Sequence, residues 1–314
     1  MERVRVERLA PLGWPSPAVT IGNFDGVHRG HQALVAAVVA RAREAAGVAV
    51  VLTFDPHPAA VLNPDRAPDA LNTLDQKEEL LGGLGVDRLA VLAFDEEVAA
   101  LTPESFAREV LLGALDTRHV VVGESFRFGH RRQGDAGRLA ALGGGLGFSV
   151  QAVPPVLEQG SPVSSSRVRD ALARGEVRVA RDLLGRPHFV DASVVRGDGR
   201  GRTIGVPTAN LAPENEILPA GGVYAARCRV PGGIWQPAVV NIGRRPTFGG
   251  QHVTVEAHLV DFDGDLYGER VRLEFHERLR GEERFDGPQA LVARIREDVA
   301  RARDVLSGTG GRGV

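Results

Sequence analysis

Two textures of apolar patterning divide the chain. Over residues 1–184, short β-branched runs at 19–21, 48–54, 88–94, 119–123 and 148–153 alternate with stretches at 31–46, 76–85, 103–115 and 134–142. The apolar residues of those stretches recur at helical spacing. Such alternation predicts a parallel sheet covered by helices on both faces, with ligands at the carboxyl ends of the strands. After the segment LLGRPH at 183–188 the texture changes: runs at 189–195, 223–230, 238–242, 253–260 and 271–275 are separated by Gly, Pro and Asp turns. That is the pattern of a small antiparallel β-barrel, closed by a helix expected over 287–306. The expected fold class is α/β: a doubly wound parallel-sheet domain over 1–184, then a barrel domain with a C-terminal helix over 185–306. The glycine-rich end, 307–314, reads as a disordered tail, and no internal repeat is present.

Composition narrows the chemistry. A length of 314 residues suits two cores better than one, and 43% hydrophobic with 25% charged residues is ordinary for a compact globular protein. A net charge of −2 gives no global attraction to nucleic acid or anionic lipid, so anions must be held by local sites. The single cysteine, Cys228, excludes an internal disulfide and a thiolate metal cluster, and reads as a small core residue of a protein in a reducing compartment. The N-terminus has no apolar signal core, and the longest run of small apolar residues, 33–40, is far short of the roughly 18 a membrane span needs. A cytoplasmic protein is expected. Lys77 is the only lysine and sits in DQKEEL. That context excludes a Walker-type P-loop and a kinase strand lysine, so the phosphates of a bound ATP are expected to rest on Arg, His and backbone amides.

The densest local signal is GNFDGVHRGH at 22–31, directly after a strand-like run and directly before a helix. A glycine-rich turn entering a helix presents backbone N–H groups and the positive end of the helix dipole to an anion. His28 and His31 add side-chain donors, and Gly30 between them leaves room for a ligand. A lone H-x-x-H is equally compatible with exposed histidines on a tight turn, or with a metal pair. The hydroxyls of VSSSRVR at 163–169 open a helix, either as an N-cap or, with Arg169 one turn inside, as a polyphosphate clamp.

The second half carries GDGRGRTIGVPTANL at 197–211. Gly and Pro at that density are compatible with a plain hairpin. Thr208 and Asn210, two apart on an extended segment, share a face and offer neutral hard-oxygen ligands suited to Mg²⁺. Glu256 lies in the alternating run VTVEAHLV, where Thr254 and Glu256 face one way and Val253 and Val255 the other. Its place is either a solvated barrel exterior or a catalytic position. DFDGD at 261–265 lacks the ligand spacing of a calcium loop and reads as a hairpin turn.

Taken together, these stretches resemble the bacterial bifunctional riboflavin kinase/FAD synthetase family over roughly 15–305. GNFDGVHRGH, TFDPHP at 53–58, VSSSRVR and VGESFRFG at 122–129 resemble its nucleotidyltransferase half. GVPTAN, GVYA at 222–225, NIGRRPT at 241–247, VEAH around Glu256 and DFDGDLYG at 261–268 resemble its kinase half, in the family's order. One departure stands out: Ser125 occupies the place of the family's Asp or Asn.

The resemblance implies an N-terminal FMN adenylyltransferase and a C-terminal riboflavin kinase. It assigns phosphate binding to Gly22, Asn23, Phe24, Asp25, Gly26, Gly30, Ser164, Ser165 and Arg169, with His28 and His31 catalytic. Phe54, Pro56, Pro58, Ser125 and Arg127 fall to the flavin, Gly205 and Pro207 to the kinase nucleotide, Thr208 and Asn210 to Mg²⁺, and Glu256 to the role of general base. The implied substrates are ATP, riboflavin and FMN, with no nucleic-acid or membrane partner and self-association left open. Adenylyl transfer needs no base, because the attacking FMN phosphate oxygen is already anionic; phosphorylation of a neutral ribityl hydroxyl does need one. A protein keeping only one of the activities, and a flavin-sensing or RNA-binding descendant of the scaffold, are the competing readings.

Overall fold

The computed structural model describes residues 1–197, 205–247 and 250–308, with the backbone alone over 244–247 and 250–252. It contains two compact units, Met1–Ser164 and Ser165–Val314.

The first unit is built on a parallel sheet of β1 (Glu2–Val6), β2 (Ala18–Ile21), β3 (Ala49–Asp55), β4 (Arg88–Ala93), β5 (His119–Gly123) and β6 (Ser149–Val153). Their order is β1-β4-β3-β2-β5-β6. The central strands are buried on both faces, which is why they read as unbroken β-branched runs. Side-chain alternation divides them between two cores. Val50 and Leu52 of β3 pack with Val110, Leu111 and Leu139 on one face, while Val51 meets Val35 and Leu81 on the other. The helices are α1 (Arg29–Glu44), α2 (Pro58–Leu62), α3 (Leu74–Gly83), α4 (Glu96–Ala100), α5 (Pro103–Phe106) and α6 (Ala136–Leu146). The stretch expected to be one helix over 103–115 is α5 followed by a π-helical segment, Ala107–Ala114. Edge strand β1 alternates charged and apolar residues too briefly to stand out in the pattern. From β2 the chain winds out to β4 on one side and, from β5, to β6 on the other. The end of β2 beside β5 is thus a topological switch point, where open α/β sheets bind ligands.

In the second unit, α7 (Ser165–Ala173) and α8 (Val177–Leu184) precede a closed antiparallel barrel. Its strands are β7 (His188–Val195), β8 (Ala209–Pro213), β9 (Gly222–Arg229), β10 (Trp235–Thr247), β11 (Gly250–Leu259) and β12 (Arg270–Arg280), in the order β7-β8-β11-β10-β9-β12. α9 (Pro288–Ser307) packs Ala302, Val299 and Val305 on Val223, Ala225, Val239 and Leu279. The Arg280 guanidinium fastens that helix by donating to the buried Asp298 carboxylate at 2.8 Å. Cys228 is buried, as expected, and burial pushes its thiol up to about 12. The helix runs one residue into the segment read as a tail, and 309–314 lie outside the described residues, as do 198–204 of the GDGRGRTIGVPTANL stretch. Among the described residues no helix is long and apolar enough to cross a membrane.

Candidate active sites

The turn after β2 begins with the Gly22 amide donating to Leu52 O at 3.1 Å, and ends with His28 as the N-cap of α1. Between them Phe24 and Val27 take positive φ values of 48° and 40°. Left-handed backbone is costly for a β-branched residue. It is maintained because both side chains are fully buried, anchoring the turn in the core beneath it. Asp25, also buried, accepts from the Leu71 amide at 2.9 Å and ties the turn to the segment leading into α3.

The two histidines stack, with ring centroids 3.7 Å apart and 15° between planes. The His31 amide donates to His28 Nδ1 at 3.3 Å, which leaves Nε2 as the proton-bearing donor of that ring. A Cβ at Gly30 would lie 3.1 Å from the His28 ring and 3.6 Å from Val163 O, so glycine permits the ring to lie across the first helical turn. Burial, with smaller contributions from His28 and Lys77, holds His31 well below the usual histidine range; its Nδ1 is buried without a hydrogen-bond partner. His31 is therefore a neutral imidazole at pH 7. The Arg29 guanidinium pairs with Glu158, on the short hairpin that leads to Val163 and Ser164.

The end of β3 borders the same turn. The Thr53 hydroxyl donates to Asn23 O at 3.2 Å, and the Asn23 amide lies 2.9 Å from His57 Nε2. His57 also caps α2, accepting from the Ala59 amide at 3.1 Å. Phe54 stands edge-on to Phe94, with centroids 5.6 Å apart, and Pro56 and Pro58 follow on the connecting loop. Ser125 is exposed and makes no hydrogen bond among the described residues; exposed Arg127 donates to Phe126 O at 3.0 Å. Their loop is anchored by Phe128, which packs on Phe106 with centroids 5.8 Å apart. Ser164 ends the first compact unit, whereas Ser165 and Arg169 stand on α7 of the second.

Two residues without a role assigned from sequence also border this turn. His57 bridges TFDPHP to the turn, and its signal was its position between two prolines assigned to the flavin. Lys77 was set aside for lacking a P-loop context. Its Nζ nevertheless reaches Thr53 Oγ1 at 3.5 Å, and its charge acts on His31. A helix thus brings to the edge of this turn a lysine that is 24 residues from its hydrogen-bond partner in sequence.

In the barrel, three strands set three polar residues in one row: Asn210 of β8 and Asn241 of β10 flank Glu256 of β11 in register. Val255 and Ala257 point into the core while Glu256 is partly buried on the opposite face, so the strand does alternate there. Asn241 belongs to NIGRRPT and has no role assigned from sequence; the antiparallel register of the consecutive strands β10 and β11 places it beside Glu256. A Cβ on Gly197 would fall 2.1 Å from Asn210 Nδ2, so the backbone before the undescribed stretch lies against that amide. Next to it opens a cleft of about 430 Å³ lined by Pro207, Thr208, Ala257, Asp263, Asp265 and Tyr267, among others. His258 Nδ1 lies 2.8 Å from Pro207 O, bracing the PTAN segment, and Gly205 has a φ of 76°. DFDGD connects β11 to β12, which are not neighbours in the barrel, so the expected hairpin turn is instead a crossing connection, and it forms one wall of this cleft. Among the described residues no group of three or more His, Cys, Asp or Glu side chains is placed to hold a metal.

The chain matches family models for FAD synthetase over residues 13–167 and for riboflavin kinase over residues 184–306. It is 42% identical to the bifunctional riboflavin kinase/FMN adenylyltransferase of Pseudomonas fluorescens, over 90% of this chain and 91% of that protein. Identity is 39% to the Escherichia coli K12 protein of the same name (91% of each chain) and 37% to that of Bacillus subtilis (90% of each chain). A solved structure named as a macrolide-efflux protein from Streptococcus pneumoniae superposes with a TM-score of 0.89 at 32% identity, covering 96% of this chain and 99% of that one. The two share a fold across nearly their whole lengths.

Proposed function

Because the chain belongs to the bifunctional riboflavin kinase/FMN adenylyltransferase family, and so converts riboflavin to FMN and FMN to FAD, we propose that each reaction uses one of the two sites described above. The division of labour follows residues 1–184 for adenylyl transfer and 185–306 for the kinase. The observation that carries it is the pairing of two different chemistries with two different polar sets: neutral imidazoles at a helix start, and a carboxylate between two amides.

At the first site an oxygen of the FMN phosphate attacks the α-phosphorus of ATP and pyrophosphate leaves. Catalysis there is positioning plus stabilisation of charge on the leaving group. His28 donates from Nε2 and His31 as a neutral imidazole, in the turn of Gly22, Asn23, Phe24, Asp25, Gly26 and Gly30 that leads to the positive end of α1. Ser164, Ser165 and Arg169 complete the phosphate set. Phe54, Pro56, Pro58, Ser125 and Arg127 border the flavin; Phe54 and the two prolines supply flat apolar surface for an isoalloxazine ring.

At the second site Glu256 accepts the proton of the ribityl hydroxyl as that oxygen attacks the γ-phosphorus. Asn210 and Asn241 on either side hold the carboxylate's neighbourhood polar. Gly205 and Pro207 border the nucleotide. The donor set of Thr208, which lines the cleft, and Asn210, two residues on, is one hydroxyl and one amide oxygen and fits Mg²⁺ shared with nucleotide phosphates. Bound there, the ion would neutralise phosphate charge. The neutral charge balance and small soluble substrates support a cytoplasmic enzyme without nucleic-acid or membrane partners.

The test is a time course with riboflavin, ATP and Mg²⁺, resolving flavins by chromatography. FMN should appear first and FAD second. His28→Ala should lower FAD formation on the order of 100-fold or more while sparing FMN formation. Glu256→Ala should do the reverse when FMN is supplied. Loss of both products from either folded variant would sink the two-site division.

A further inference from the structure

Lys77 is the one basic residue among 38 that is not arginine, and its place in the fold is unfavourable for an idle ammonium. It occupies the first turn of α3, where the helix dipole already makes the potential positive. The start of that helix is firmly held. Thr73 and Gln76 form a capping box, and the Leu71 amide just before it is bonded to Asp25 in the turn after β2. The ammonium is thus directed at the turn rather than at solvent, and it is partly buried.

What it finds there falls short of its needs. Its Nζ has three N–H donors and makes one long hydrogen bond, 3.5 Å to Thr53 Oγ1, with no ion pair among the described residues. Thr53 is itself committed to Asn23 O at 3.2 Å. Burial lowers the lysine's proton affinity, while Asp25 and Asp55, close enough to be felt, keep the charged form in play. A partly desolvated cation with unused donors, next to the stacked histidines, is a site completed by an anion that arrives with the ligand.

We propose that Lys77 is a phosphate-binding residue of the adenylyl-transfer site, its ammonium gripping the β- and γ-phosphoryl oxygens beside His28 and His31. As the FMN oxygen bonds to the α-phosphorus, the bond from that phosphorus to its β-bridging oxygen breaks. The electron pair leaves with pyrophosphate, and Lys77 meets the added negative charge without giving up its proton. A compact ammonium can direct three donors at clustered oxygens, whereas a guanidinium is a wider planar fork. That difference gives a reason for lysine at this position in a chain that uses arginine everywhere else. The proposal rests on the reading that the turn after β2 holds the nucleotide's phosphates.

Having a single lysine makes the test direct. The full chain produced with lysine ¹³C-labelled at Cε gives one side-chain signal, which is titrated with inorganic pyrophosphate and Mg²⁺. The signal should shift and saturate with pyrophosphate binding. Lys77→Met should lower kcat for FMN adenylylation by about 100-fold and weaken pyrophosphate binding by about tenfold or more, with FMN binding and riboflavin phosphorylation changed by less than about twofold. A signal unmoved by saturating pyrophosphate, in a protein whose His28→Ala variant no longer binds it, overturns the role of Lys77 and leaves the site reading intact. If pyrophosphate binding is also indifferent to His28→Ala, the site reading fails as well. A Lys77→Met protein that loses FMN binding and pyrophosphate binding together, with a lowered Tm, overturns the proposal in favour of a structural role.

Discussion

The histidines illustrate how position sets the chemistry of a side chain. His31 is neutral because burial opposes its charged form, and that neutrality suits it to donate a hydrogen bond near phosphate without taking up a proton. His188, at the start of β7, is buried against Phe275 and lowered by burial to about 4. Its folded value lies below the unfolded value, so the unfolded state binds the extra proton between pH 6.5 and 4 and stability falls as pH falls through that window. The loss should approach roughly 3 kcal/mol at the acid end. Urea unfolding of His188→Phe at pH 7 and pH 5 should show a flatter dependence than the parent, since nothing titrates at that position and the unpartnered Nε2 is gone. Ser125 is exposed and without a hydrogen bond among the described residues, so Ser125→Asp should leave the adenylylation rate unchanged or raise it. A large fall in steady-state rate would mean that serine is fitted to the flavin.

Among the elements, turns and strand pairings do what no single residue can. The turn after β2 was legible as a glycine-rich connection from strand to helix carrying two histidines. Its left-handed Phe24 and Val27 were not, because nothing in a Phe or Val codon position announces a backbone that only burial sustains. In the barrel, the alternation of VTVEAHLV placed Glu256 on one face, yet its flanking by Asn210 and Asn241 depends on β8 and β10 pairing with β11. Gly197 tests that arrangement. Gly197→Ala would force the Asn210 amide aside, since the new methyl would lie 2.1 Å from it. Riboflavin phosphorylation should fall at least about tenfold with FMN adenylylation unchanged, in the same steady-state assay, because displacement by about an ångström at a reacting centre is costly.

For the whole molecule, two compact units carry two reactions whose shared compound, FMN, is small and water-soluble. A mixture of His28→Ala and Glu256→Ala chains should therefore make FAD from riboflavin although neither variant does so alone. Chromatography of the mixed reaction checks this, and failure to form FAD would show that FMN must be handed on within one chain. The family models begin the kinase at residue 184, close to the change of texture at 183–188, whereas the compact units part between Ser164 and Ser165. The helices α7 and α8 account for the difference. Their amphipathic pattern continues that of the first half, but the buried residues of α8, from Val177 to Leu184, belong with the barrel unit.

By itself, the sequence determined whatever is local or periodic. Five of the six strands of the sheet, five of the six barrel strands, the closing helix, the glycine-rich turn from strand to helix at 22–31 and the carboxylate on an alternating strand all follow from spacing, because side-chain period and turn chemistry are properties of contiguous residues. Tertiary structure alone decided whatever joins distant segments. The capping of α3 and the bond from Leu71 to Asp25 bring Lys77 to the histidines; pairing of β8 with β11 sets Asn210 beside Glu256; and burial, rather than any neighbour in sequence, makes His31 neutral. Contacts between residues far apart in the chain depend on which elements pack together, and neither a window of sequence nor a count of lysines contains that information.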